Sequence, residues 1–151
     1  MNKKKQKAII VDIDGTLALL GDRSPYDTKS VGLYPPNQPI IDLVKLLQFS
    51  IQNAATFIIT GREKLEFENW NLASVEKQTR YWLWSHNIRF NHLYMRELGD
   101  HRKDFVIKKE IYDQKIKQNY NVLYVIEDRR QVIDMWRSEG LTVLDVAGND
   151  F

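Results

Sequence analysis

The 151-residue chain contains no cysteine, which excludes a disulfide framework and any thiolate metal site. Long apolar runs are also missing. Its basic start, Met1 to Lys7, imitates the head of an export signal. The apolar stretch behind it is only Ala8 to Val11 before Asp12 interrupts, too short for export or for spanning a membrane. These absences lead to the expectation of a cytoplasmic chain with no membrane partner. An excess of charge is lacking too. The formal net charge is +2, and Lys3, Lys4, Lys5 and Lys7 account for four of the 22 basic residues, leaving 18 against 20 acidic ones. A protein that grips long nucleic acid by its phosphates is normally more basic than that, and the lysine run over residues 1–7 reads as a flexible, solvated tail. No Gly-x-x-x-x-Gly-Lys-Ser/Thr phosphate loop is present. A hydrophobic content of 43% over this length suits a single globular domain, 1–151, with a real core.

What is present is concentrated in residues 8–16, Ala-Ile-Ile-Val-Asp12-Ile-Asp14-Gly15-Thr16. A short apolar strand ends in two carboxylates spaced two apart, so that both project together from its C-terminal end. Gly15 permits a sharp turn, and the Thr16 hydroxyl can fix it by a local hydrogen bond. Two carboxylates on one edge repel each other unless a cation or a shared proton compensates. This is the geometry for a magnesium-assisted aspartate nucleophile with a second aspartate as acid and base. A calcium loop is excluded: counted from Asp12, Gly15 falls fourth instead of sixth, and Arg23 stands where the closing glutamate belongs.

Along the rest of the chain, apolar strands alternate with helical patterns. After the strand at 8–13, residues 18–39 hold Gly21, Pro25, Gly32, Pro35, Pro36 and Pro39 and read as a long irregular flap. Ile40, Ile41, Val44, Leu47 and Ile51 recur at helical spacing. Residues 56–59 are a second buried strand, closed by Thr60-Gly61-Arg62. Residues 63–73 form a polar loop, and Ser74 caps a helix to about His86. Leu93-Tyr94-Met95 is a third strand, and the pattern over 103–117 places Lys108 on a helix. The fourth strand, 122–126, ends at Glu127-Asp128. Val132, Ile133 and Trp136 mark a helix stopped by Gly140, and 141–146 is a fifth strand. The alternation predicts an α/β fold with a doubly wound, Rossmann-like, mainly parallel five-stranded sheet and helices on both faces. In such sheets the functional crevice lies beyond the carboxyl ends of the strands. Asp12 and Asp14, Thr60 to Arg62, and Glu127 with Asp128 all sit at predicted strand ends, a convergence that argues for an enzyme.

Taken in order, Asp12-Ile-Asp14-Gly15-Thr16, Thr60, Lys108 and Glu127-Asp128 resemble the four motifs of the haloacid dehalogenase-type phosphatases. The likeness is closer still to the 3′-phosphatase domain of bacteriophage polynucleotide kinase-phosphatase. It is carried by Arg23-Ser-Pro25-Tyr26-Asp27, Gly61-Arg62-Glu63, the stretch from Arg96 to Asp104, the stretch from Glu127 to Arg137, and the closing Val146-Ala147-Gly148-Asn-Asp150-Phe151. Departures from that domain are Glu127 in place of an aspartate, Thr60 in place of a serine, and a poorly matching flap from Val31 to Pro39. The phage enzyme also carries a kinase domain in front, so this chain reads as a stand-alone phosphatase or an excised domain.

The resemblance implies a haloacid dehalogenase-like fold and a polynucleotide 3′-phosphatase that clears nucleic-acid 3′-phosphate ends before ligation. Asp12 is then the nucleophile that forms an aspartyl-phosphate, and Asp14 the acid and base. Mg²⁺ is implied as cofactor, held by Asp12, the Asp14 carbonyl and Asp128, with Glu127 in the metal shell through water. Thr60 then donates to a phosphoryl oxygen, and Lys108 neutralises Asp12 and the phosphate together. Arg23 and Arg62 hold the phosphate or the adjoining backbone, and Asp104 orients a basic partner. Arg96 and Arg102 are read as solvated surface arginines. Of Trp82 and Trp84, which cannot share a helix face, one packs in the core. The implied partners are nucleic-acid 3′ ends; a separate kinase or ligase and a homo-oligomer stay open, as does a host-cell cytoplasm if the chain is phage-encoded. Two other readings stand beside this one: a phosphatase of free nucleotides or small phosphorylated metabolites, and an idle end-binding module. Intact Asp12, Asp14, Lys108 and Asp128 argue against the idle module.

Overall fold

Strand β1 (Gln6–Val11) is buried on both sides from Ala8 onward, the mark of a central strand in a parallel sheet covered by helices. The computed structural model describes residues 4–23, 30–66 and 73–149. Lys3, the segment Pro25-Tyr26-Asp27, loop residues 67–72 and the closing Asp150-Phe151 lie outside them. The further strands are β2 (Ala55–Glu63), β3 (His92–Arg96), β4 (Tyr120–Arg129) and β5 (Val143–Asn149). All pairings are parallel, in the order β3-β2-β1-β4-β5. The chain builds outward from β1 to β3, then returns to the other side of β1 with β4. The boundary between β1 and β4 is therefore the topological switch point, where ligands bind in open α/β sheets.

Helices α1 (Gln38–Ser50) and α2 (Val75–Ser85) cover one face, and α3 (Asp104–Ile111) and α4 (Arg130–Ser138) cover the other. Period-two alternation decides which side chain meets which layer. Ile9 and Val11 of β1 pack with Ile41, Val44, Val75 and Trp82. Ala8 and Ile10 pack with Tyr112, Val132 and Trp136. Ser74 caps α2 as its sequence suggests, accepting from the Lys77 amide at 3.3 Å. Trp82 is the core tryptophan, and Trp84 is 71% exposed.

Three expectations need correction. The basic tail is shorter than residues 1–7, because Gln6 and Lys7 already pair with Tyr120 and Asn121 of β4. The helix expected over 103–117 keeps α-geometry only to Ile111. It then widens into a π-turn, Tyr112–Ile116, with the Lys117 amide donating to the Tyr112 carbonyl, which turns both Tyr112 and Ile116 into the core. The flap is anchored at its ends. Leu17 and Ala18 are buried, the Leu19 amide donates to the Pro35 carbonyl, and the Asn37 amide donates to that of Leu17.

Candidate active site

The carboxyl ends of β1, β2 and β4 open into a cavity of about 580 Å³ whose lining includes Asp12, Asp14, Thr60, Arg62, Asp104, Glu127 and Asp128. Asp12 follows the last residue of β1, and its amide donates to the Ile126 carbonyl of β4 at 3.0 Å. That hydrogen bond carries the strand pairing one residue further and sets Asp12 beside Glu127 and Asp128. The carboxylates of these three buried residues each bring an oxygen within 4.8 Å of the others. Gly15 adopts φ +87°, and a Cβ there would sit 2.1 Å from Asp128 Oδ2. Glycine is thus demanded twice, by conformation and by contact. The turn after Asp14 is further tied to β4 by the Thr16 hydroxyl, which donates to Asp128 Oδ1 at 3.2 Å.

Lys108 reaches this cluster from α3 and is 2% exposed. Its Nζ donates to Asp12 Oδ1 at 2.7 Å and to Glu127 Oε2 at 2.8 Å, and lies 3.2 Å from Asp104 Oδ2. Burial works to lower its pKa, but Asp104, Asp12 and Glu127 together hold it well above the ordinary lysine range. The Asp12 carboxyl moves the other way. Burial first, then the neighbouring Glu127 and, more weakly, Asp104 raise it to about 7, against the pull of Lys108. Glu127 is likewise raised, chiefly by burial. Asp12, Glu127 and Asp128 bring carboxylate oxygens to one buried point, and hard oxygen donors gathered in this way are the donor set a divalent cation such as Mg²⁺ takes. The residues present fit that ion.

Asp14 is held apart from this cluster. Arg62 Nε donates to its Oδ2 at 2.8 Å and Nη2 to its Oδ1 at 2.6 Å, a two-point fork. The third arm, Nη1, donates to the Thr79 hydroxyl at 3.0 Å. Arg62 is thus committed inside the protein. Thr60 ends buried in the cavity wall, where its Oγ1 accepts from the Arg62 amide at 3.3 Å. Arg23 is not among the cavity-lining residues. It donates weakly to the Leu33 carbonyl at 3.4 Å and lies over the Tyr34 ring, 5.2 Å from its centroid.

The reading of Arg96 as a solvated arginine is wrong. Its side chain is 16% exposed and donates to the carbonyls of Gly61, Asp100 and Arg102, besides pairing with Asp104. The loop folds around it because four acceptors converge on one guanidinium. Arg102 does lie at the surface, yet it is bound to Asp100 and Glu110. Asp104 faces three cations: Lys108, Arg96 and, at 3.9 Å, Arg129. Sequence reasoning passed over Thr79, Lys103 and Arg129. Arg129 had a signal, since it directly follows the Glu127-Asp128 pair.

The family model of the polynucleotide kinase PNKP phosphatase domain matches residues 6–151. A protein of Autographa californica nuclear polyhedrosis virus, named as a bifunctional polynucleotide kinase/RNA ligase, is 31% identical over 136 residues, covering 89% of this chain and 18% of its own length. Among solved structures, a chain of a Pnkp1/Rnl/Hen1 complex superposes with TM-score 0.85 at 34% identity over 99% of this chain and 49% of its own. A chain of the Pnkp1/Rnl/Hen1 RNA repair complex gives 0.87 at 33%, over 99% and 45%. A D,D-heptose 1,7-bisphosphate phosphatase from B. bronchiseptica, complexed with magnesium and phosphate, shares the fold, with TM-score 0.60 at 15% identity over 91% of this chain and 78% of its own. The chain spans less than a fifth of the viral relative and about half of the complex chains. With the family model covering nearly the whole chain and the acidic pair at the switch point, the chain belongs to the polynucleotide kinase PNKP phosphatase domain family, within the haloacid dehalogenase-type phosphatases.

Proposed function

We propose that the protein is a Mg²⁺-dependent polynucleotide 3′-phosphatase working through an aspartyl-phosphate. The observation that carries the reading is the separation of two aspartates two residues apart into different electrostatic settings. Asp12 stands in the buried carboxylate cluster against Lys108, and Asp14 stands clear of it in the fork of Arg62. An Asp12 carboxylate oxygen attacks phosphorus as the bond to the 3′ oxygen breaks, and the Asp14 carboxyl hands its proton to that oxygen. Water then attacks the phosphoryl group on Asp12, giving its proton to Asp14 and releasing phosphate. Lys108 and the Thr60 hydroxyl offset charge on the phosphoryl oxygens. Asp12 and Asp128, with the Asp14 carbonyl and Glu127, would hold Mg²⁺, which when bound offsets the charge between carboxylate and phosphate.

The polynucleotide part of the reading rests on the family and on the relatives' names, which join a kinase with an RNA ligase and place Pnkp1 in an RNA repair complex. A separate ligase or kinase as working partner follows from the same names. Arg23 and Arg62 were the cations expected to hold the substrate backbone. With Arg62 committed to Asp14 and Arg23 not lining the cavity, that role passes to Lys103 and Arg129, which do line it. Phosphate release from 3′-phosphoryl oligonucleotide, free 3′-nucleotide and 5′-phosphoryl oligonucleotide, with Mg²⁺ and in chelator, tests the proposal. Release from the 3′-phosphoryl oligonucleotide should be fastest and should vanish in chelator. Faster release from 5′ ends, or full activity in chelator, would overturn it.

A further inference from the structure

We infer that Thr79 is a positioning residue for the acid-base step, acting on Asp14 through Arg62. This deepens the phosphatase reading and rests on it. Asp14 can pass a proton productively only if its carboxyl is aimed, and an aspartate after a turn has two free side-chain torsions. Here the aim comes from Arg62, whose Nε and Nη2 grip both oxygens of Asp14. A fork is only as fixed as its handle. Arg62 has a long flexible side chain, and its remaining Nη1 is the one arm pointing away from Asp14.

That arm ends on the Thr79 hydroxyl at 3.0 Å, and Thr79 is fully buried on the inner face of α2. One turn later on the same face, Trp82 Nε1 donates to the Tyr34 carbonyl at 2.7 Å. The Tyr34 ring lies 5.5 Å from the Arg62 guanidinium carbon. The guanidinium is therefore braced from two directions, by hydroxyl and by ring, and both braces hang on one helix, none of whose residues lines the cavity. A buried guanidinium arm must find an acceptor. If the hydroxyl is removed, Arg62 turns to seek one, and the carboxyl it holds turns with it. Misplacement of a reacting group by about 1 Å costs on the order of a hundredfold.

The test compares wild type with Thr79→Val, which keeps shape but lacks the hydroxyl, and Thr79→Ser, which keeps the hydroxyl. Two substrates are used side by side, 3′-phosphoryl oligonucleotide and p-nitrophenyl phosphate. The Val variant should lose about tenfold to a hundredfold in kcat with KM within about twofold, and the Ser variant should recover to within about threefold of wild type. Adding Thr79→Val to an Arg62→Lys variant should cost little more than Arg62→Lys alone, since the hydroxyl acts only through the arm already altered. Should Thr79→Val fail to fold, Thr79→Ala and Thr79→Ser are compared in its place. Equal kcat in Val and wild type, a loss confined to KM, or full additivity with Arg62→Lys would each overturn the inference. A wild type active on p-nitrophenyl phosphate alone would sink the polynucleotide reading while leaving Thr79 measurable on that substrate. A wild type idle on both would remove the phosphatase reading and this inference together.

Discussion

Replacing the nucleophile should make the metal-free protein more stable. Asp12 is buried, and burial with Glu127 and Asp104 raises its carboxyl from 3.8 to about 7. A carboxyl whose folded-state pKa is raised is held protonated in the native state while the unfolded chain has already ionised. Its contribution is therefore favourable below pH 3.8 and is lost progressively as pH rises through 7. About three pH units at 1.36 kcal/mol each give an upper bound of about 4 kcal/mol forfeited at neutral pH. Asp12→Asn removes that penalty and keeps the shape, and its amide oxygen can still accept from Lys108 Nζ, now 2.7 Å from Asp12 Oδ1. Burial of the amide itself is not free, so the expected gain is about 1–4 kcal/mol at pH 7. It should shrink toward zero near pH 4. Urea unfolding in chelator across pH 4–8, with wild type and variant in parallel, measures it. Added Mg²⁺ should then stabilise wild type and barely affect the variant, because only a ligand that binds the native state shifts the equilibrium. Turnover in Asp12→Asn should fall to background. A variant no more stable than wild type at pH 7, or a gain that persists undiminished at pH 4, would refute the reasoning.

Lys108→Ala should have the opposite effect: it leaves Asp12, Glu127 and Asp104 buried without their shared cation and should cost about 3–5 kcal/mol in urea unfolding at pH 7. Gly15→Ala must place a Cβ 2.1 Å from Asp128 Oδ2 at a φ of +87°. The left-handed backbone alone should cost about 1–2 kcal/mol, and calorimetric titration should show weakened Mg²⁺ binding. Lys103→Ala and Arg129→Ala should each lower kcat/KM for 3′-phosphoryl oligonucleotide by about tenfold or more, the worth of a charge-assisted phosphate contact, with a smaller effect on p-nitrophenyl phosphate. Equal losses on both substrates would place these residues at the transferring phosphate instead.

Most of the strands and helices were legible because they are written in local periodicity. Residues 8–13 read as a strand, which the structure forms over Gln6–Val11; Ser74 reads as a cap, as observed; and one of Trp82 and Trp84 reads as core, a place the structure gives to Trp82. Asp12 was legible in the same way, as the carboxylate that ends the first strand; the parting of Asp14 from it was not, because the strand stops at Val11 and its alternation does not reach Asp14. The π-turn after Ile111 was not, because an α-helix and its widened turn share one apolar pattern, and the choice between them lies with the core that Tyr112 and Ile116 fill. Nor was the Arg62–Asp14 pair, and Lys108 was set against Asp12 only through the family resemblance. Lys108 meets Asp12 across 96 residues and Arg62 meets Asp14 across 48, and no local rule says which cation faces which carboxylate. Strand order decides it. Because β4 returns to lie beside β1 and not beside β3, Glu127 and Asp128 join Asp12, while β2 on the other side delivers Arg62 to Asp14. Arg96 illustrates the same limit: its sequence is that of an exposed arginine, and only the loop folded over it supplies the carbonyls that bury it. The sequence by itself determined which chemical groups end each strand; the tertiary structure decided their partners, since charge pairing is settled by distance in space and the chain encodes that distance only through the sheet.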